Sequence, residues 1–151
     1  MIDVRFQYSL ESVLEYRKKI EDSKKDKFMN ANKQLIHETS VLTDIEEHRN
    51  QIREDLKAKD TFSIQEQKNY MQYIMSLEKK MEMQKIRVSD SKRRCDLARG
   101  ELVKAQKDRK IMETLEGKEL DKFNYDLKRR EEIEANEMAS INYIRRKNMK
   151  E

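Results

Sequence analysis

The stretch from Tyr70 to Met112, YMQYIMSLEKKMEMQKIRVSDSKRRCDLARGELVKAQKDRKIM, decides the fold. One set of its positions recurs at alternating steps of four and three, the spacing of a coiled-coil seam. The set consists of Tyr70, Ile74, Leu77, Met81, Gln84, Val88, Ser91, Cys95, Ala98, Leu102, Ala105, Arg109 and Met112. Only three of these positions are polar, so the stretch predicts one long helix that buries a narrow stripe against another helix.

A weaker seam precedes it. Its positions are Phe28, Ala31, Leu35, Glu38, Leu42, Ile45, Arg49, Ile52 and Leu56, and the same frame extends back through Leu10 and Leu14. Between the seams lies KAKDTFSIQEQ, in which Ser63 and Glu66 have the spacing of a capping box that starts a helix. The chain is therefore predicted to be all-α, a single domain over 1–151 formed by two long helices in an antiparallel coiled-coil hairpin. We expect the helices at about 9–58 and 64–147, with a turn at 59–63.

An antiparallel pair brings together residues whose numbers sum to a constant, and a sum near 122 fits best. It places Ile45 beside Leu77 and sets the polar residues Glu38 and Gln84 opposite each other. Ser9 is the predicted N-cap of the first helix, with a hydrophobic staple between Tyr8 and Val13. In this register the first helix begins opposite about residue 113 of the second. The second helix should then overhang at its C-terminus.

The predicted overhang, residues 117–151, is expected to have no partner within the chain. It nevertheless keeps five apolar residues on one stripe, namely Leu120, Phe123, Leu127, Ile141 and Ile144. A lone helix is marginally stable in water, so another protein surface is expected to cover this stripe. Gly117, at the start of the overhang, is either a tolerated surface glycine or a soft joint.

Composition argues against a globular enzyme. Charged residues make up 42% of the chain and hydrophobic residues 36%, proline is absent, and the mean hydropathy is −1.11. The net charge of +4 comes from interspersed signs, which is typical of a solvated helical surface. No signal peptide or membrane-spanning run is recognisable, and a single cysteine fits a reducing compartment, so we expect a soluble cytoplasmic protein.

The sequence also offers no recognisable catalytic group or ligand set. His37 and His48 are interpreted as surface residues, and Cys95 as a small residue of the seam. No glycine-rich phosphate loop is present. We therefore expect no enzymatic activity, no metal site and no cofactor.

The opening RFQYSLESVLEYRKKIED carries Phe6, Leu10, Val13, Leu14 and Arg17 in the arrangement F-x-x-x-L-x-x-V-L-x-x-R. This resembles the N-terminus of the FliJ family of flagellar type III export proteins. NYMQYIMSLEKKMEMQK resembles the start of that family's second long helix, and RKIMETLEGKEL resembles its E-x-L-x-x-K segment at Glu113, Leu115 and Lys118. EANEMA is similar to the usual D-E-x-A, although Asn136 replaces the aspartate.

The resemblance implies a small, cytoplasmic, coiled-coil hairpin that acts with the hexameric export ATPase in the manner of a rotary central stalk. It also implies contacts with the membrane export gate and with export chaperones, at the inner face of the cell membrane. The residues expected to bind the ATPase are Phe6, Leu10, Arg17, Lys118, Leu120, Phe123, Leu127, Ile141 and Ile144, with Lys122 as a further cation. Phe62, Ile64 and Tyr73 are expected to contact the gate or chaperones.

Two other functions are compatible with the sequence. One is a structural coiled-coil spacer that dimerises through the C-terminal helix. The other is a nucleic-acid binder that uses Lys92-Arg93-Arg94 and Arg145-Arg146-Lys147. No aromatic residues interleave with these runs, and we expect no nucleic-acid partner.

Overall fold

The computed structural model describes residues 4–150 and contains two helices in that range. Helix α1 spans Glu11–Ala58 and helix α2 spans Ile64–Asn148. Both run without interruption because no proline removes a backbone donor and neither glycine leaves the helical conformation. The predicted all-α hairpin with a longer second helix is confirmed.

Residues 59–63 connect the two helices. The hydroxyl of Ser63 accepts a hydrogen bond of 3.2 Å from the amide of Glu66, as the predicted cap requires. Lys59 places its ammonium group 5.6 Å from the ring centre of Phe62 and 5.5 Å from that of Tyr70. The loop is therefore fixed by a helix cap and by a cation held between two rings.

The chain divides into two compact units, which are described separately. The distal unit comprises Ile20–Ala105, where the two helices pack antiparallel around a cluster of apolar residues. This cluster contains Ile52, Ile74 and Leu77, with Ile45, Leu56 and Tyr70 packed against it. Ile45 was predicted to lie beside Leu77, so the register of this unit is confirmed.

One polar layer interrupts the distal core. The side-chain amide of Gln84 donates to the main-chain carbonyl of Glu38 at 2.8 Å and to its carboxylate at 2.5 Å. Gln34 donates to the same carboxylate at 2.9 Å. The two polar residues predicted to lie opposite each other thus satisfy one another, as buried polar groups must.

The terminal unit comprises residues 4–19 and 106–150. Leu14 is almost fully buried there, and Arg17 forms an ion pair of 3.5 Å with Asp108. Before α1 begins, residues 4–10 are not helical and lie along α2. The hydroxyl of Tyr8 donates to the main-chain carbonyl of Met112 at 2.8 Å, and the rings of Phe6 and Phe123 lie 5.5 Å apart.

Two predictions are wrong in this unit. Ser9 does not cap α1, because the helix starts at Glu11 and the Ser9 hydroxyl instead donates to the carboxylate of Glu119 at 2.9 Å; the staple expected across Ser9 fails with it. The overhang is also not bare over its whole length. Residues 4–10 cover α2 as far as Leu127, which is half-buried.

The N-terminal residues cover more of α2 than predicted because a non-helical segment is longer per residue than a helix. A non-helical segment advances about 3.3 Å per residue, whereas a helix rises about 1.5 Å. Seven residues can therefore span about 20 Å, the length of about 13 helical residues. Only residues 128–150 are exposed throughout, and the last residue of the predicted overhang, Glu151, lies outside the described range.

Candidate partner-binding surfaces

The described residues offer surfaces rather than a chemical centre. Within residues 4–150, no group of three or more histidine, cysteine or acidic side chains could hold a metal ion. No helix in this range is long and apolar enough to cross a membrane. The candidate sites are therefore the apolar and charged surfaces of the two units.

The terminal surface is formed by Phe6, Leu10, Leu120, Phe123 and Leu127. Phe6 lies against Phe123 at a tilt of 58°, and both rings are half-buried. Leu10 and Leu120 are more than one-third exposed. Five of the predicted ATPase-binding residues, two from the N-terminus and three from α2, thus belong to one unit and leave apolar area accessible.

Two other predicted residues do not join this surface. Ile141 and Ile144 lie on the part of α2 that nothing in the described chain covers, and they are 47% and 56% exposed. Ile141 is separated from Leu127 by about four turns of helix and Ile144 by nearly five. The terminal surface and this uncovered segment are distinct sites.

The predicted cations of this unit differ in availability. Arg17 is already paired with Asp108, and its buried Nε atom has no hydrogen-bond partner. Lys118 and Lys122 are exposed and have no ion pair in the described part of the chain. Lys118 and Lys122 are therefore better placed than Arg17 to meet an acidic partner.

Tyr8 holds the N-terminal residues in place. Its ring is 6% exposed, and its burial, together with the nearby carboxylates of Glu119, Glu116 and Glu11, raises its pKa above the ordinary value. The neutral hydroxyl is the form that donates to Met112. The raised pKa extends the range of this form, and with it the contact, to higher pH.

The residues predicted to contact the gate or chaperones also differ in their accessibility. Phe62 is half-buried and packs edge-on against Tyr70 with 6.2 Å between ring centres. Ile64 is 77% exposed, while Tyr73 is partly exposed and its hydroxyl lies 2.7 Å from Nε2 of His48. Phe62 is therefore a structural residue of the loop, and Ile64 and Tyr73 remain accessible.

One groove was not predicted from the sequence. It runs between the helices in the distal unit and is lined by Val41 and Ile45 of α1 and by Met75 and Met83 of α2, with Lys79, Lys80 and Arg87 among the remaining residues. The signal in the sequence is the cluster of methionines, a flexible residue that suits adaptable surfaces. This groove adds accessible apolar area to the distal unit.

The comparison with known families covers almost the whole chain. The model of a family described as flagellar FliJ protein matches residues 6–148, a range that includes both helices and the N-terminal residues of the terminal surface. No curated protein and no solved structure matches the chain. The helical pairing and this match together show that the chain belongs to the FliJ family of flagellar proteins.

Proposed function

We propose that this chain binds the hexameric export ATPase of the flagellar type III apparatus as a central-stalk-like coiled coil and promotes assembly and activity of the ring. Family membership makes the chain a component of flagellar export, and the non-catalytic role is part of the proposal. The ATPase as the specific partner is the step beyond family membership. It would act in the cytoplasm, reaching the inner face of the cell membrane through its partners.

The observation that carries the proposal is the terminal unit. It combines a partly exposed apolar surface, built from both ends of the chain, with a helical segment that nothing in residues 4–150 covers. Exposed apolar side chains at helical spacing are what a groove or pore lined by a partner's side chains would bury. Lys118 adds an unpaired cation beside them for an acidic pore loop.

We assign the contact with the export gate or chaperones to the loop end. Ile64 and Tyr73 are accessible there, and the groove lined by Val41, Ile45, Met75 and Met83 lies in the same unit. An apolar groove between two helices suits an amphipathic helix or an extended segment of a partner. Phe62 supports this contact indirectly, because it packs on Tyr70.

The test is titration of the protein into the flagellar export ATPase of the same organism, with ATP turnover and ring assembly followed together. The wild-type chain should raise both. The double substitution Leu120→Ser and Phe123→Ser should weaken this effect at least about tenfold, because each serine removes apolar area from the terminal surface. The double substitution Ile141→Ser and Ile144→Ser tests whether the uncovered segment also contributes to this effect.

A matched control is available in α1. Met29 and Ile36 are exposed apolar residues of the distal unit, so their replacement by serine changes polarity to a similar extent away from the terminal surface. Helicity of each variant is compared by circular dichroism. If neither terminal variant differs from the control in ATPase stimulation, the terminal unit is not the ATPase contact.

A structural spacer that dimerises through residues 128–150 is the second candidate. It is favoured by the same exposed residues, since a second copy would cover Ile141 and Ile144. Sedimentation over a wide concentration range distinguishes the two. A dimer that persists at low micromolar concentration and is lost in the Ile141→Ser, Ile144→Ser variant would favour the spacer.

A further inference from the structure

The first described residues of the chain lie as a strap along α2. Residues 4–10 are not helical, and alternate side chains face α2, as they would in an extended strand. Phe6 is half-buried and Tyr8 is 6% exposed, whereas the neighbouring Arg5 and Gln7 are exposed. We call residues 4–10 the N-terminal strap.

Hydrogen bonds attach the strap to α2 without making α2 depend on them. The Tyr8 hydroxyl donates to the main-chain carbonyl of Met112 at 2.8 Å. This carbonyl lies inside α2, where the helix itself supplies a donor four residues later. The amide and the hydroxyl of Ser9 donate to the Glu119 carboxylate at 3.4 Å and 2.9 Å, in a contact at the surface. Release of the strap therefore leaves no buried, unpaired acceptor on α2.

The strap covers part of the apolar stripe of the terminal surface. The Phe6 ring lies against the Phe123 ring, with 5.5 Å between their centres. Phe123 and Leu127 are half-buried, whereas residues 128–148 of α2 are exposed throughout. The chain itself thus already occupies the side of α2 on which the export ATPase is proposed to bind.

The strap has a defined conformation and is not a frayed end of α1. If α1 continued towards the N-terminus in the same heptad frame, Gln7, seven residues before Leu14, would lie on the seam. Tyr8 would then lie beside the seam and not on it. The observed strap instead buries Tyr8 and leaves Gln7 exposed.

The closed strap is held weakly enough to be exchanged. Its seven residues lack the ladder of main-chain hydrogen bonds that holds the two helices, and Phe6 and Tyr8 are its most buried side chains. The conformational entropy of every ordered residue opposes closure. Chain ends with few buried contacts open at a small cost in free energy. We therefore expect the open and closed forms to be close in free energy.

We propose that the N-terminal strap is an exchangeable cover that regulates access of the export ATPase to the terminal surface. The partner takes the place of Phe6 against Phe123, so the bound chain is open. This inference rests on the proposed function, and it assigns Phe6 to the cover and not to the contact with the partner. The apparent affinity is then lowered in proportion to the fraction of chains that are open before binding.

The first experiment measures opening without the partner. Chymotrypsin cleaves after Tyr8 only when the strap is open, and mass spectrometry of the full chain gives the rate. Phe6→Ser removes the ring that packs on Phe123 and should raise this rate at least about tenfold. Gln7→Ser, on the exposed side of the strap, is the matched control and should leave it unchanged. Each rate is divided by that of a free peptide with the same substitution, which corrects for the sequence preference of the protease.

The second experiment measures binding of the same variants to the export ATPase by calorimetry. Phe6→Ser should tighten binding at least about fivefold, because it raises the open fraction. A contact between Phe6 and the partner would give the opposite sign. Gln7→Ser should bind as the wild type does.

The third experiment locks the strap. The side chains of Ser9 and Glu119 already meet, so cysteines at these two positions can be joined by a short bismaleimide in a chain that also carries Cys95→Ala. The linked chain should bind the ATPase at least about tenfold more weakly than the wild type. The same chain with both cysteines capped by N-ethylmaleimide is the matched control and should bind at least as tightly as the wild type.

Two results would overturn the cover while leaving the ATPase as the partner. One is a Phe6→Ser variant that binds more weakly or is cleaved no faster than the wild type. The other is equal binding of the linked and capped chains, which would show that the partner binds with the strap in place. The proposed function fails differently. If neither the wild type nor Phe6→Ser binds the ATPase, the partner is wrong and the regulation of that contact is refuted with it, whatever the cleavage rates.

Discussion

The polar layer between Glu38 and Gln84 allows a quantitative test of how the distal core is held. Gln84 is 4% exposed, and its amide donates both to the carbonyl and to the carboxylate of Glu38. Glu38 is only half-buried, so its carboxylate also reaches water. The perturbation is to replace each residue by leucine, singly and together.

The three variants should differ in a characteristic way. Gln84→Leu loses hydrogen bonds worth about 1 kcal/mol each but gains about 1.5–3 kcal/mol from a buried leucine, so its stability should change little. Glu38→Leu leaves the buried amide without its carboxylate partner, which costs about 1–3 kcal/mol and cancels the gain. The double variant removes both polar groups and should be more stable than wild type by about 2–4 kcal/mol.

The assay is urea unfolding followed by circular dichroism, combined in a double-mutant cycle. The double variant should exceed the sum of the single effects by about 1 kcal/mol or more, because the cost of leaving the buried Gln84 amide without its carboxylate partner arises only in Glu38→Leu alone. If the effects add to within about 0.3 kcal/mol, the contact is energetically irrelevant and the reasoning fails.

Three further predictions concern single positions. Leu77→Ala should lower the free energy of unfolding by about 2–5 kcal/mol, because Leu77 is a member of the distal core, whereas Leu97→Ala on the exposed face should change it by less than about 0.5 kcal/mol in the same urea experiment. Gly117→Ala should raise stability by about 1 kcal/mol and the midpoint of thermal unfolding by about 2–4 °C, since a Cβ there meets nothing; a lower midpoint would contradict this. The raised pKa of Tyr8 means that the unfolded chain loses the phenolic proton first, so its contribution to stability is present below about pH 10 and decreases as the pH rises further. Unfolding curves measured up to strongly alkaline pH should show this loss for the wild type, and Tyr8→Phe should reduce it.

The pairing of the helices was predictable because it follows from spacing. Apolar residues that alternate at three and four steps have only one way to be buried together, and polar residues opposite each other select among registers seven residues apart. Every predicted seam position of α2 from Tyr70 to Met112 is buried or half-buried. Periodicity was therefore sufficient to predict the pairing wherever both paired segments are helical.

The N-terminal residues could not be predicted in this way. Ser9 and Ser63 both belong to the residue types that cap helices, but only Ser63 is followed by a glutamate three residues later. Position 12 is a serine, so no reciprocal bond holds Ser9 at a cap, and Glu119 from α2 takes its hydroxyl instead. This contact depends on tertiary structure, about which helical periodicity says nothing.

The exposed apolar residues of α2 were missed for a related reason. A search for one seam assigns every other apolar residue to the solvent, and stripes on opposite sides of a helix largely cancel each other's amphipathic signal. Ile86 and Leu97 stand out only once Cys95 and Gln84 are known to be buried, since their exposure is then fixed by helix geometry.

Binding at the terminal surface should have two contributions that can be separated. The Phe6 ring already lies against Phe123, so a partner gains only the apolar area that remains exposed or must first displace this contact. This part of the affinity should respond to apolar substitutions and little to salt, whereas the contribution of Lys118 should weaken as the ionic strength rises.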